Sequence, residues 1–399
     1  MAPVSHFRVR RRGRAAFAAA GAAAVLGLAG CSLGDGQSGG GEEEPSAEPA
    51  EPVAAAPLVE EALAGLAEYQ GITATGQIAE SVGGDVRDVS LTVSDGGTSS
   101  GTIRAGGVGA ELISADNRIF LRAAEDFWLD QNIYGPDFDQ FDGNWVRASA
   151  SQTGIEPGAV LAPSVLAEIL GGLELESDEA VEENLDGTLT YRIDLAGERD
   201  QMWVNAETGQ LQRIAVEQLV PPEAESGPQV RLDIAEADTT AVEELYSGVV
   251  TATEEELTSS RDARIEVAWD GQADMSCEDG PHCTWTGTVH DATGSGTGTV
   301  YVHMKVTFTN DEIGEQTCED SGELEAGGTL QLSCDANYNI VSETQTEYTV
   351  SGSSVLSTRG LTGGQQESML AALGEEREAV LSGESGQESE EPSEGENGN

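Results

Sequence analysis

Apolar and polar positions alternate along this chain with two different periods, and the change of period marks its parts. Leu58, Ala62, Leu63, Leu66 and Tyr69 recur at helical spacing, with Glu60, Glu61 and Glu68 among the intervening positions. That spacing predicts a helix with one buried face, ended by Gly71. From Ile72 the period shortens to two: Val89, Leu91 and Val93 alternate with Ser90 and Thr92. Ala115-Asp116-Asn117 reads as a hairpin turn before Arg118-Ile119-Phe120-Leu121, and the segment from Asn205 to Gly209 reads as another between Met202-Trp203-Val204 and the run Leu211 to Val216. Such alternation between turn residues predicts antiparallel strands. Between them, Pro163 to Leu173 predicts a short helix, with Pro163 near its start, an apolar stripe of Leu166, Ile169 and Leu170, and Gly171-Gly172 at its end.

A second set of short strands follows the acidic stretch Thr251 to Ser260, which reads as a linker. Ile265 and Val267 begin it; Val300, Val302, Met304, Val306 and Phe308 then alternate with Tyr301, His303, Lys305 and Thr307. Further runs lie at Thr329 to Ser333 and Tyr348 to Leu356. The spacing predicts a small antiparallel β-sandwich of roughly immunoglobulin-like size.

The first strand region carries phrases that resemble a known family. Ile72-Thr-Ala-Thr-Gly-Gln, Leu91-Thr-Val-Ser-Asp-Gly-Gly, Gly101-Thr-Ile-Arg, Ala110-Glu-Leu-Ile-Ser, Phe127-Trp128 and Gly143-Asn-Trp-Val occur in the order found in LolA-like lipoprotein carriers, and are most similar to the actinobacterial LppX and LprG group. The resemblance covers about residues 58–245. It implies a mostly β, α+β domain, in which a strongly curved antiparallel half-barrel holds helices against its concave face and encloses an apolar cavity for acyl chains. Val89, Leu91, Leu112, Phe120, Leu166, Ile169 and Leu170 are the candidate cavity lining, because each lies in a strand or helix with one apolar face. Periodicity alone is met equally by a packed core.

At the N-terminus, Arg8, Arg10, Arg11, Arg12 and Arg14 precede the Ala-rich apolar stretch from Ala15 to Gly30. The stretch is shorter than the roughly 20 residues that a spanning helix needs, and it ends in small residues. It therefore reads as a cleaved signal peptide. Leu28-Ala29-Gly30-Cys31 resembles the lipobox of bacterial lipoproteins, which implies acylation of Cys31, palmitate among the usual acyl groups, and an anchor on the outer face of the cytoplasmic membrane. The remaining cysteines, Cys277, Cys283, Cys318 and Cys334, are even in number and lie in an exported chain, which predicts two disulfides. Three pairings are possible and the local ones are favoured. A zinc site beside His282 is the rival, but no Cys-x2-Cys pair supports it.

Composition then narrows the partners. The chain has 72 acidic and 19 basic residues, a formal charge of −53, and loss of the leader removes arginines and no acids. That charge disfavours nucleic acid and anionic membrane surfaces as direct partners. A single lysine, Lys305, with 50 glycines fits an actinobacterial source. No Gly-x-Ser-x-Gly elbow or His-Glu-x-x-His motif is present, the acidic pairs read as solvated faces, and the chain is expected to be no enzyme, with no metal and no cofactor. Asp137, Asp139 and Asp142 are the best calcium candidates, although Tyr134, Phe138 and Phe141 make their loop read as one packed on the core.

The expected organisation is thus a signal peptide (1–30), a disordered tether (31–57) reaching about 80 Å at full stretch, a LolA-like domain (58–246), a linker (247–261), a disulfide-bonded sandwich (262–360), and a short helix with an acidic tail (361–399). The expected function is an extracytoplasmic lipoprotein that binds an apolar ligand, a lipid being the favoured class. The alternative is a non-catalytic structural lipoprotein that meets an envelope protein or glycan.

Overall fold

The computed structural model describes residues 53–222, 224–277, 281–340 and 347–383. The leader, Cys31, the tether up to residue 52 and the tail from residue 384 lie outside them. The described residues form one compact unit.

Thirteen strands build one open sheet. In chain order they are β1 (Val53–Ala54), β2 (Gly71–Ala79), β3 (Arg87–Ser94), β4 (Ser99–Ala105), β5 (Val108–Ala115), β6 (Arg118–Ala123), β7 (Trp145–Ala148), β8 (Glu179–Leu185), β9 (Thr188–Asp194), β10 (Gln201–Asn205), β11 (Leu211–Val216), β12 (Gln229–Glu236) and β13 (Arg261–Asp262). Their order across the sheet is β1-β8-β9-β10-β11-β12-β2-β3-β4-β5-β6-β7-β13. Every pair is antiparallel except β7 with β13. The helices are α1 (Ala55–Ala67), α2 (Glu125–Asp130), α3 (Ala150–Thr153), α4 (Pro157–Leu161), α5 (Pro163–Gly171), α6 (Thr239–Glu255) and α7 (Gly363–Ser382).

Local chemistry explains the main boundaries. Regular structure begins at Val53, ahead of the expected boundary after residue 57, because Pro57 falls in the first turn of α1, where its missing N–H removes no helical hydrogen bond. Asp116 and Asn117 both take positive φ, 49° and 56°, and so make the tight hairpin between β5 and β6. Gly101 sits where a Cβ would lie 2.1 Å from the Ser90 carbonyl oxygen, so β3 and β4 approach there as only glycine permits.

Both faces of the sheet are partly roofed. One face presents Ile72, Ala74, Leu91, Ile103, Leu112, Leu121, Val204, Ile214 and Leu232, and packs in a single cluster with Leu63 and Leu66 of α1, Leu161 of α4 and Leu166 and Leu170 of α5. On the opposite face, Ile113, Phe120 and Trp145 pack with Val242, Leu245, Tyr246 and Val249 of α6 and Met369, Leu373 and Val380 of α7. The expected linker 247–261 is therefore a correction: it is the second half of α6, a 3-10 turn at Leu257–Ser259 and strand β13. Val249, Ala252 and Leu257 continue the buried stripe, and the acidic residues that suggested a linker occupy the other side of the same helix. The expected short helix after residue 361 is the 20-residue α7. Its Glu376 is pinned to the sheet, accepting hydrogen bonds from Thr98 N (3.0 Å), Thr98 Oγ1 (2.9 Å), Ser94 Oγ (3.1 Å) and the Tyr246 hydroxyl (2.8 Å).

The region between α6 and α7 holds two small sheets. β14 (Val267–Trp269) and β15 (Asp274–Ser276) flank one side of β16 (His282–Asp291), and β19 (Thr329–Asn337) pairs its other side. β17 (Thr299–Asn310) lies between β18 (Gly314–Glu325) and β20 (Ser351–Arg359). Side chains of both sheets share one cluster, including Val300, Val302, Met304, Val306 and Phe308 of β17, Val289 of β16 and Leu332 of β19. Disulfides join Cys277 to Cys283 and Cys318 to Cys334, the second linking β18 of one sheet to β19 of the other.

Buried charge fastens the two regions together. The Asp137 side chain is fully buried, pairs with Arg261 Nε at 3.1 Å and accepts from Thr358 N at 2.9 Å. Asp262, 1% exposed, accepts from Arg264 Nη2 at 2.7 Å and Nε at 3.0 Å, while its own N–H donates to Thr358 Oγ1 at 2.8 Å. Burial pushes both carboxyls above the usual carboxylate range, against the pull of their arginines and hydrogen bonds. The calcium candidate Asp137 is thus committed to an ion pair.

Asp262→Ala should destabilise the chain by about 1–3 kcal/mol in urea unfolding, because the half-buried Arg264 loses its ion pair; a cost near zero would contradict this joint. Replacing Cys318 and Cys334 together by Ser should cost about 2–4 kcal/mol, and thiol labelling of the unfolded, unreduced chain should find Cys277, Cys283, Cys318 and Cys334 all unreactive.

Candidate functional site

The two faces of the large sheet offer different chemistry. On the face covered by α1, α4 and α5, the expected lining residues Leu91, Leu112, Leu166 and Leu170 are at most 3% exposed, and Val89 and Ile169 are also buried. A wall of an open cavity would be reachable by water, so of the two arrangements that periodicity allows these side chains show the packed one. The space is taken by Leu63, Leu66, Leu166 and Leu170, which the helices push into the concavity. Phe120 is a second correction: it points the other way, into the cluster with α6 and α7, while its neighbours Ile119 and Leu121 join the α1 and α5 side. The run Ile119-Phe120-Leu121 is apolar throughout because the sheet is covered on both sides there, and such a run does not reveal its facing.

The opposite face carries a continuous polar row across ten strands. Register places Arg192, Trp203, Arg213, Asp233, Thr75, Ser90, Thr102, Glu111, Arg122 and Trp145 side by side. Each end has a buried tryptophan beside arginine. Arg122 stacks on Trp145 at 4.7 Å, and both donate to Glu256, at 2.7 Å from Arg122 and 2.6 Å from the indole Nε1. Hydrogen bonds and charge from Glu111 and Glu256 raise the Arg122 pKa against a smaller desolvation effect. The short side chains Thr75, Ser90 and Thr102 leave the middle of the row low.

Two open clefts lie along this face. The first, of about 690 Å³, is lined by Asp88, Ser90, Thr102, Arg104, Glu111 and Arg122, among others. The second, of about 590 Å³, lies at the ends of β2, β10, β11 and β12 and includes Trp203, Arg192, Arg199 and Arg231. Of the seven expected lining residues, Val89 alone borders either cleft. Neither cleft was foreseen; the signal was present as Arg192, Trp203 and Arg213 on alternating strand positions, which became one row only when register was fixed.

No known protein family and no curated protein matches the chain. Among solved structures, the chain is similar to the crystal structure of LprF from Mycobacterium bovis, with TM-score 0.30, 11% identity, and coverage of 46% of this chain and 90% of that one. It is also similar to MucB (TM-score 0.23, 10% identity, 71% and 92% coverage) and to MucB in complex with MucA(peri) (0.21, 13%, 79% and 96%). Likenesses of this size transfer no residue role. In common with what the sequence resemblance implies, the chain has an antiparallel sheet with α1, α4 and α5 against one face; α6 and α7 cover part of the other.

In the second region, His303 Nδ1 stands 2.8 Å from Ser321 Oγ, and His303 Nε2 stands 4.0 Å from Glu319. The three lie on neighbouring strands of one sheet face, and Ser321 meets the ring nitrogen opposite to the one that a serine nucleophile uses in hydrolase triads. Among the described residues, no group of three or more His, Cys, Asp or Glu side chains is arranged to hold a metal.

Leu170→Gln should lower the melting temperature markedly, because an amide placed in this filled core costs about 1–3 kcal/mol beyond the lost apolar packing; an unchanged melting temperature would mean that position 170 borders open space.

Proposed function

We propose that the chain is a non-catalytic, extracytoplasmic lipoprotein, anchored to the outer face of the cytoplasmic membrane through Cys31, that carries an acyl-chain ligand between its large sheet and the helices α1, α4 and α5. The observation that carries this reading is the roof. A continuous apolar face is covered by short helices from two separate chain segments, α1 and α4–α5, which make no ladder hydrogen bonds to the strands beneath them. Such a roof can part while the strand ladder stays intact. In the closed state Leu63, Leu66, Leu166 and Leu170 occupy the space; in the loaded state acyl methylenes take their place, each worth about 0.8 kcal/mol on leaving water. A long chain therefore offsets the displacement of a few leucines.

The lipobox at Leu28 to Cys31 supports the anchor, and the two disulfides fit an oxidising compartment. The disulfide-bonded region is read as a small β-sandwich that meets an envelope protein or glycan. A second reading, an interaction lipoprotein without a lipid cargo, is favoured by the filled core and by the position of both clefts on the opposite face.

Native mass spectrometry and lipid extraction of the protein from an actinobacterial host should find a stoichiometric lipid, and Cys31→Ser should move the protein from the detergent phase to the medium. Absence of lipid in every preparation would reject the carrier reading in favour of the second, and unchanged membrane retention of the Cys31→Ser chain would reject the anchor.

A further inference from the structure

The cleft at the ends of β2, β10, β11 and β12 combines features that the carrier reading leaves unused. Arg199 and Arg231 line it, are exposed and make no ion pair among the described residues, in a chain with 72 acidic side chains. Glu198 and Glu217 line it as well, whereas Glu183 is already held by Arg192 at 3.1 Å. Trp203, 6% exposed, forms part of the wall, and its Nε1 has no hydrogen-bond partner among the described residues. Val86, 56% exposed, borders the cleft, and Val82, 54% exposed, lies on the same loop between β2 and β3.

These groups select among ligands. A simple anion satisfies the arginines but meets the glutamates, and a simple cation does the reverse. An anionic headgroup must also approach against the field of a chain whose formal charge is −53. A ligand that carries both signs and an apolar portion meets every wall. We propose that this cleft binds the zwitterionic phosphate-amine headgroup of a membrane phospholipid, with the phosphate at Arg199 and Arg231, the ammonium at Glu198 and Glu217, and the start of the acyl chains against Val82 and Val86.

The proposal rests on the reading of a membrane-anchored lipid carrier, and it names the lipid surface that such a carrier would touch.

The test uses the Cys31→Ser chain, recovered without its own lipid, and cosedimentation with vesicles of phosphatidylethanolamine and phosphatidylcholine or of phosphatidylglycerol, with inorganic phosphate as competitor. The chain should bind the zwitterionic vesicles more tightly than the anionic ones, and the double variant Arg199→Gln/Arg231→Gln should bind about tenfold or more weakly with an unchanged melting temperature, as expected for loss of two charge-assisted contacts. Val82→Asp should weaken vesicle binding as well. Equal binding by the double variant, tighter binding to phosphatidylglycerol, or complete displacement by inorganic phosphate would each overturn the proposal, the last by showing a free-anion site. Lipid extracted from the same proteins separates the two readings. Cargo present with vesicle binding indifferent to the arginines overturns the cleft alone, and arginine-dependent vesicle binding with no cargo in any preparation overturns the carrier alone.

Discussion

An open sheet of thirteen strands has two faces, and a continuous apolar surface on either must be taken out of water. Most of this architecture follows from that constraint. Strand alternation sends one set of residues toward α1, α4 and α5 and the other toward α6 and α7, and only where the second set turns polar can the sheet stay bare. The clefts lie on that bare part. The apolar face is buried and its chemistry is packing; the exposed face keeps arginines, hydroxyls and carboxylates available to a partner. Which face is packed and which stays open is thus set by which residues fall on even and odd strand positions.

The second constraint is electrostatic. Asp137 and Asp262 are withdrawn from water at the seam between the large sheet and the disulfide-bonded region; Arg261 and Arg264 respectively meet their charge, and Thr358 reaches both residues from β20. Arg147 lies in the same seam, where burial, with Arg264 and Arg118 nearby, lowers its pKa to about 10. Its Nη1 donates to the Gly360 carbonyl at 3.4 Å. The buried charges hold the seam in one geometry, because sliding it would leave several of them unmatched at once.

Much of the fold was legible in the sequence because period and turn chemistry are local. The helix around Leu63, the hairpin at Asp116-Asn117, the short helix from Pro163 and the β17 alternation all announce themselves within a dozen residues. What could not be read was long-range. The acidic composition of residues 254–256 outweighed the apolar stripe that carries α6 past them, and Phe120 sits in a run apolar on both faces. Glu376 looks like any surface glutamate until the chain returns α7 to the sheet. The site was less legible than the fold for the same reason: Arg192, Trp203, Arg231 and Val86 are ordinary residues until strand register gathers them, and whether an apolar face is full or hollow depends on side-chain volumes contributed by helices elsewhere in the chain.

The return of α7 also orders events in time. The chain leaves the large sheet after Asp262 and comes back beside it at Gly360, whose N–H donates to the Ser260 carbonyl at 2.9 Å. The disulfide-bonded region is thereby an insertion whose two ends meet, and α7, which completes the cover over Ile113, Phe120 and Trp145, follows that insertion in the chain. A large sheet that forms before α7 is available therefore keeps part of one apolar face uncovered. A slow oxidation step in the insertion would prolong that state, so the pace of thiol chemistry in one region governs how long the other is exposed to aggregation.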